Sequence, residues 1–278
     1  MASFREKLSK AFEVNKSLVC VGLDPDPALM PIPDILAFNK AIVDATKDVV
    51  CAYKPNLAFY EAMGVDGMKA LRATVKYVHE KAPGILVIGD AKRGDVDNTS
   101  VHYAKALFTL WDFDAITVNP YLGGQALVPF FEYEDRGVFV LCRTSNPGAG
   151  EFQDLYMPSG VRIERLFQTV ARRALVWNIK GNVGLVVGAT YAEELRIIRT
   201  SCPEMPILIP GVGSQGGDLE KAVKFGIDTS GRNAIINSSR GIIYATKDKD
   251  GFQEAARNAA AKIRDAINGV LAKEGKGW

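Results

Sequence analysis

Residues 84–100 of the chain read GILVIGDAKRGDVDNTS. The apolar run Gly84–Ile88 is typical of a buried β-strand, and three charged residues follow it closely, Asp90, Lys92 and Asp95. Because side chains alternate along a strand, Asp90 and Lys92 are expected on the same face. Charged groups at the end of an apolar strand are costly unless they are paired or used in chemistry, and such clusters are typical of functional sites. The stretch therefore predicts a strand that carries candidate catalytic residues at its end.

The same pattern, an apolar run followed by a polar residue, recurs along the chain with helical patterns in between. The predicted strands are Leu18–Leu23, Val49–Tyr53, Gly84–Ile88, Ala115–Val118, Gly137–Cys142, Val183–Val187, Pro206–Ile209 and Ala234–Ile236. Continuous apolar strands suit a parallel sheet covered by helices. Eight strand–helix repeats predict an α/β fold, a (β/α)8 TIM barrel, as one domain over residues 1–278.

An amphipathic segment at about Ser3–Asn15 predicts an extra N-terminal helix before the first strand, and a long helix is expected at about Gly251–Lys273. A doubly wound open sheet is the alternative fold. That fold needs about five or six strands, and no GxGxxG turn follows the first strand. The connection TSNPGAGEFQDLYMPSG, residues 144–160, is expected to be a loop, and the tail AKEGKGW, residues 272–278, is expected to fray.

Composition limits the classes of function. The 278 residues carry a formal net charge of +2, which gives no support for a nucleic-acid surface. No apolar run approaches the length of a membrane span, and the start MASFREKLSKAF lacks the apolar core of a secretion signal. We therefore expect a cytoplasmic enzyme that interacts with neither membranes nor nucleic acids.

The cysteines and histidines argue against further classes of function. Cysteines at 20, 51, 142 and 202 form no short metal-ligand spacing, and those that fall in predicted strands are expected to be buried free thiols. The only histidines are His79 and His102, both in predicted helices. This scarcity argues against Ser-His-Asp chemistry and most histidine-based zinc sites.

Polar residues end several predicted strands. Barrel active sites lie at the carboxyl ends of the strands, so these side chains are expected to share one pocket. A solvated loop entrance explains one such residue equally well, but it explains a whole set less easily. The set comprises Asp24, Lys54, Asp90 with Lys92, Asn119, Ser145 and Arg240.

The last two strands lead into segments that suit a phosphate. PGVGSQGGD, residues 210–218, offers backbone N–H groups and leads into a helix N-terminus, and SSRG, residues 238–241, contains Arg240. Loops after the seventh and eighth barrel strands frequently form a phosphate site, where Arg240 could clamp the dianion. An ordinary glycine-rich turn with a structural arginine is the alternative for either segment alone.

Six segments of the chain carry a resemblance to a known family. They are VGLDPDP (21–27), YKPNLAFYE (53–61), DAKRGD (90–95) with Thr99, RTSNPGA (143–149), PGVGSQGGD (210–218) and SSRGIIYA (238–245). Together they resemble the orotidine 5′-phosphate decarboxylase family, in its longer bacterial-type form. The resemblance extends in the expected order from about Phe4 to Ala245. The DxKxxD core is shared by a wider suprafamily of phosphate-binding barrels, and the other segments narrow the match.

The resemblance implies a catalytic array of Lys54, Asp90, Lys92 and Asp95, in which Asp95 reaches the active site of a neighbouring subunit. It also implies a homodimer, since Thr99 would cross the same interface to the ribose. The family uses neither a metal nor an organic cofactor.

The remaining roles that the resemblance implies concern the substrate, orotidine 5′-monophosphate. Asp24 corresponds to a ligand of a ribose hydroxyl, and Ser145 to the residue that reads the pyrimidine edge. Gln215 corresponds to a residue that spans base and phosphate, and Arg240 to the phosphate clamp.

The implied reaction agrees with the chemistry of the residues. Loss of CO2 from C6 leaves negative charge on a ring with no electron sink, and the Lys92 ammonium could balance that charge and then protonate C6. Asp90 would lie near the departing carboxylate, where it either strains the ground state or, together with Asp95, keeps Lys92 charged and aimed. We favour the second role.

There are two rival functions. The nearer one is a metal-dependent decarboxylase or an epimerase of the same suprafamily that acts on sugar phosphates, and the other belongs to a different class. In such a decarboxylase, the position that corresponds to Lys54 holds a carboxylate that helps to bind Mg²⁺. A lysine at this position would repel the ion. The other rival is a non-catalytic barrel that binds a nucleotide and uses the DxKxxD cluster as a structural ion-pair network.

Overall fold

A computed structural model describes residues 2–159, 162–212 and 216–278 of the chain. Eight parallel strands form a barrel: β1 (Val19–Leu23), β2 (Ala52–Pro55), β3 (Leu86–Arg93), β4 (Ala115–Val118), β5 (Gly137–Arg143), β8 (Val183–Val187), β9 (Ile207–Pro210) and β10 (Ala234–Ser238). They close in the order β1-β10-β9-β8-β5-β4-β3-β2. Every strand predicted from the sequence is present, so the predicted TIM barrel is confirmed.

Helices cover the outside of the barrel, as the strand–helix repeat predicted. Their amphipathic faces bury apolar side chains against strands that are themselves buried on both faces. The helices are α1 (Phe4–Asn15), α2 (Ile35–Thr46), α3 (Leu57–Glu61), α4 (Gly64–Lys81), α5 (Asp97–Lys105), α6 (Val128–Phe131), α7 (Gly150–Gln153), α8 (Leu166–Trp177), α9 (Ala192–Ser201), α10 (Leu219–Gly226), α11 (Arg240–Ile243) and α12 (Phe252–Lys273).

The extra N-terminal helix, α1, is confirmed and lies at the amino ends of the strands. Ser3 and Glu6 form a capping box at its start. Phe4 is fully buried and packs edge-on against Phe139 of β5, with ring centroids 6.1 Å apart. The Phe4 N–H also donates to the carbonyl of Glu134, just before β5. The helix therefore packs at the amino end of the barrel and leaves the carboxyl end open.

Two strands differ from their predicted bounds in a way that matters for the site. β2 continues to Pro55 and β3 to Arg93, so Lys54, Asp90 and Lys92 lie within strands rather than after them. Pairing with β4 carries β3 past its apolar run, because Arg93 is in register with Val118. Pairing with the neighbouring strand, rather than the polarity of the side chains, therefore decides where β3 ends.

The long connection between β5 and β8 is not only a loop. It contains a two-stranded antiparallel sheet of β6 (Tyr156–Ser159) and β7 (Arg162–Arg165). The glycine and proline content of the segment indicated a loop. The two short strands instead pair with each other, so their backbone groups are hydrogen-bonded without joining the barrel sheet.

The prediction that the C-terminal tail frays is wrong. The guanidinium of Arg232 lies 3.5 Å from the centre of the Trp278 ring, and the indole N–H of Trp278 donates to Asn268 Oδ1 at 2.8 Å. The Lys276 ammonium donates to the carbonyl of Asp228. An aromatic side chain and a cation therefore fasten the tail to the barrel. In the part of the chain that the structure describes, no helix is both long and apolar enough to cross a membrane.

Candidate active site

A cavity of about 730 Å³ opens at the carboxyl ends of the barrel strands. It is the place where the topology brings most of the predicted strand-end residues together, although they are far apart in sequence; Asn119, which was expected here, does not line it. Neither His79 nor His102 lines it. The predicted residues that line it are Asp24, Lys54, Asp90, Lys92, Ser145 and Arg240.

The Asp90 carboxylate lies between two ammonium groups. Lys92 Nζ donates to Asp90 Oδ1 at 2.6 Å, and Lys54 Nζ donates to Asp90 Oδ2 at 3.1 Å. The side chain of Lys54 is 5% exposed, whereas that of Lys92 is 48% exposed. Lys54 is therefore fixed in the wall of the barrel, and Lys92 has room to meet a ligand.

The electrostatics keep the buried part of this group charged. Burial acts to raise the pKa of Asp90, but the charges of Lys54 and Lys92 and hydrogen bonds from Lys92 and Thr117 outweigh it, and the pKa is held far below its usual range. Burial acts to lower the pKa of Lys54, but Asp90 and Asp24 outweigh it, and the pKa is raised. Both Asp90 and Lys54 are therefore ionised at neutral pH.

Sequence reasoning did not find Thr117, which contacts the same carboxylate. Its Oγ1 donates to Asp90 Oδ1 at 2.8 Å and accepts from the backbone N–H of Lys92 at 3.0 Å. Thr117 is 1% exposed and lines the cavity from β4. Its position in the apolar run AITV, as the one polar residue, is the signal that could have singled it out.

Two oxygens in the cavity wall have no partner in the described part of the chain. They are Oδ1 of Asp24, after β1, and Oδ1 of Asn237 in β10, both buried. A buried acceptor without a donor is unfavourable, so these atoms suit a ligand that brings hydroxyl or N–H groups. The Tyr244 hydroxyl holds the Asp24 segment, since it donates to the Asp24 carbonyl at 2.9 Å and accepts from the Asp26 N–H at 2.6 Å. Asn237 and Tyr244 were not among the predicted site residues.

Ser145 follows β5 on a segment that is fixed from beneath. Arg143 is 2% exposed and faces neither the cavity nor solvent. Its guanidinium donates to Asp154 at 3.0 Å and to Gln153 at 3.3 Å. Gly188 leaves room for Ser145, because a Cβ at Gly188 would lie 2.7 Å from the Ser145 Cβ. The backbone around Ser145 is therefore held between β5 and the segment after β8.

The described residues include part of the expected phosphate end. Arg240 is exposed, lines the cavity, and lies beyond ion-pair distance of every carboxylate in residues 2–159, 162–212 and 216–278. Gly211 and Val212 line the same end, and Gln215 lies outside the described residues. The helix that follows the glycine-rich segment, α10, is capped by Asp218, whose carboxylate accepts from the Lys221 N–H.

Asp95 and Thr99 do not line the cavity of their own chain. The Asp95 carboxylate accepts from the N–H of Val96, and its backbone N–H and carbonyl hydrogen-bond to the Ser100 hydroxyl. Thr99 is exposed on the first turn of α5. The structure thus brings Lys54, Asp90 and Lys92 together and leaves Asp95 and Thr99 pointing elsewhere.

A closed parallel barrel with convergent charged groups at the carboxyl ends of its strands is the architecture of a barrel enzyme. Residues 17–256 match the family described as Orotidine 5′-phosphate decarboxylase / HUMPS family. The chain is 51% identical over 275 residues to orotidine 5′-phosphate decarboxylase of Thermomicrobium roseum, with 96% of each chain covered. It is 50% identical over 266 residues to the enzyme of that name from Dehalococcoides mccartyi, covering 95% of this chain and 97% of the relative.

Among solved structures, the chain is similar to OMP decarboxylase of Leishmania donovani, with a TM-score of 0.84, 37% identity, and coverage of 97% of this chain and 99% of the other. The chain belongs to the orotidine 5′-phosphate decarboxylase / HUMPS family. The predicted family and the predicted fold are both confirmed, and the sugar-phosphate and non-catalytic rivals are not favoured.

Proposed function

We propose that this chain converts orotidine 5′-monophosphate to UMP and CO2, the step that completes UMP in pyrimidine biosynthesis. The single observation that supports this most strongly is the Asp90 carboxylate held between the ammonium groups of Lys54 and Lys92 at the open end of the barrel. The relatives at about half identity carry the name of that activity over nearly the full chain.

The charge arrangement suits loss of CO2 from a ring without an electron sink. Lys92, half exposed, is the group that can follow the negative charge as it develops at C6 and then deliver a proton there. The substrate carboxylate would meet Asp90, and two unit charges about 4 Å apart repel by about 4 kcal/mol at an effective dielectric of 20. Departure of neutral CO2 removes that repulsion, whereas the contacts between Asp90 and its two lysines remain.

The substrate-binding roles follow the polar groups around this centre. Asp24 would accept from a ribose hydroxyl, which is supported by its unpartnered buried oxygen. Ser145 would read the pyrimidine edge from its fixed backbone position. Arg240 and Gln215 would hold the phosphate, which is supported for Arg240 by its exposed guanidinium at the cavity. Neither a metal nor an organic cofactor takes part in this proposal.

The proposal includes a homodimer in which Asp95 and Thr99 complete the active site of the partner. Both residues face away from the cavity of their own chain, on the segment that leads from β3 into α5. Exposed apolar side chains lie beside them, since Val96 is 55% and Val101 is 48% exposed. A second copy of the chain would cover this apolar surface and bring the Asp95 carboxylate to the neighbouring Lys92.

A cytoplasmic location also belongs to the proposal. All four cysteines are buried and free, including Cys20 in β1 and Cys51 just before β2. Free thiols in this number suit a reducing compartment. Cell fractionation with an antibody against the protein tests this location.

The experiment that tests the activity is a spectrophotometric assay of orotidine 5′-monophosphate with the purified protein. We expect the substrate absorbance to change to that of UMP, at the same rate with and without EDTA. Substrate that stays intact would refute the proposal, and activity that EDTA abolishes would favour the metal-dependent decarboxylases of the wider suprafamily.

A further inference from the structure

The chain carries an irregular backbone at its most important lysine. In the pairing of β3 with β4, Gly89 is in register with Ile116 and Arg93 with Val118. Three residues of β3, Asp90, Ala91 and Lys92, therefore face a single residue of β4, Thr117. Such a bulge takes residues out of the regular ladder and turns their side chains in a new direction.

Lys92 sits in this bulge with a φ of 49°, in the left-handed region that a residue with a Cβ rarely adopts. A backbone conformation of this kind is strained, and it persists only when neighbouring contacts hold it. The bulge also removes the N–H of Lys92 from the β-ladder, so this part-buried donor needs another acceptor. Thr117 Oγ1 is that acceptor, at 3.0 Å.

The same hydroxyl, which accepts from the Lys92 N–H, donates its own proton to Asp90. Thr117 Oγ1 donates to Asp90 Oδ1 at 2.8 Å, and that oxygen also receives the Lys92 ammonium at 2.6 Å. One hydroxyl thus contacts the backbone of the lysine and the carboxylate that orients its side chain. With Lys54 on the other oxygen, the Asp90 carboxylate is fixed from both sides.

We propose that Thr117 is a positioning residue for decarboxylation: its hydroxyl closes the β3 bulge and sets the direction of the Lys92 ammonium relative to Asp90. It acts through those two residues, and its own side chain does not react. The proposal rests on the roles given above to Lys92 and Asp90. Because Thr117 is 1% exposed, the hydroxyl has no solvent to replace either contact.

The test compares Thr117→Val with Thr117→Ser. Valine keeps the shape but leaves the Lys92 N–H without an acceptor, and we expect kcat to fall about 10- to 100-fold with KM changed by less than about threefold. Serine keeps the hydroxyl and loses only a methyl group, and we expect it to recover most of the lost turnover.

A second readout separates positioning from general damage to the fold. The group that gives a proton to C6 also removes it in the reverse direction, so the enzyme should exchange the C6 hydrogen of UMP for deuterium in D2O. We expect Thr117→Val to slow this exchange by a factor similar to its loss of kcat. UMP binding, measured by calorimetry, should stay within about threefold of wild type, because the proposal places the hydroxyl off the ligand.

Thr74→Val is the matched control. Thr74 is also 1% exposed and accepts a side-chain hydrogen bond, from Asn39 Nδ2 at 3.0 Å, but it lies on α4 outside the cavity. The Thr74→Val protein should be less stable than wild type, with no change in kcat per folded molecule.

The proposal is overturned if Thr117→Val keeps wild-type kcat, if Thr117→Ser is as impaired as Thr117→Val, or if the loss appears in KM alone. Activity that falls only in proportion to the folded fraction, as for Thr74→Val, overturns it equally. If wild-type protein itself leaves orotidine 5′-monophosphate intact, the proposed function fails instead, so the two failures are distinguishable.

Discussion

The guanidinium of Arg143 lies 3.7 Å from the centre of the Tyr191 ring, beneath the segment that carries Ser145. Asp154 and Gln153 bind the same guanidinium, and Gln153 returns to accept from the Thr144 N–H at 2.8 Å. A cation between an aromatic face and a carboxylate is well placed to fix a loop, because each contact restrains it from a different side. The polar residues of segment 144–154 are thus positioned by the Arg143 side chain, which does not line the cavity.

Tyr191→Leu removes the aromatic face and is expected to lower the free energy of unfolding by about 1–2 kcal/mol. It should also raise KM severalfold, because the Ser145 segment is less well held. Urea unfolding and steady-state kinetics measure the two effects. Tyr191→Phe keeps the ring and should resemble wild type in both, so equal effects of Leu and Phe would contradict a role for the stacked guanidinium.

Lys92→Ala is expected to reduce kcat by at least about 10³-fold, since it removes both the charge and the proton donor at C6. Binding of UMP should remain measurable by calorimetry, because phosphate and ribose contacts lie elsewhere. Lys69→Ala is the control: Lys69 is exposed and outside the cavity. Near-normal turnover by Lys92→Ala would refute the role given to this lysine.

Arg240→Ala tests the phosphate clamp. We expect a loss of about 100-fold in kcat/KM for the phosphorylated substrate and a much smaller loss for the bare nucleoside orotidine, because only the former offers a dianion to the guanidinium. Arg173, an exposed arginine outside the cavity, provides a matched control as Arg173→Ala. Equal losses on the two substrates would argue against a phosphate contact.

The shared active site predicts complementation between two inactive variants. Asp95→Ala and Lys54→Ala proteins, each inactive alone, should regain about a quarter of wild-type activity after equal mixing and subunit exchange, since half the dimers then contain one intact site. Native mass spectrometry confirms that the hybrids have formed. Hybrids that form and stay inactive would rule out a contribution of Asp95 across the interface.

Much of the fold could be predicted because its signals are local. Apolar runs of three to six residues mark the barrel strands, and polar residues at their ends mark the open face, so Asp90 and Lys92 were expected to meet. They do meet, but not through a regular strand. The bulge depends on how β3 pairs with β4, and neither the left-handed φ of Lys92 nor its acceptor on Thr117 can be read from alternation.

One further difference has its origin in tertiary context. The polar tail was expected to fray, but Arg232 offers a cation to Trp278. This contact joins residues distant in sequence, which composition and periodicity do not indicate.

The four buried thiols can report local opening of the barrel, because each becomes reactive only when it is exposed. Cys20 and Cys51 lie at neighbouring strands of one side of the barrel, Cys142 lies in β5, and Cys202 ends α9. A thiol reagent added under native conditions can modify a cysteine only after the surrounding segment opens. Peptide mapping of the labelled positions over time would therefore report which sector of the wall opens first, without any engineered label.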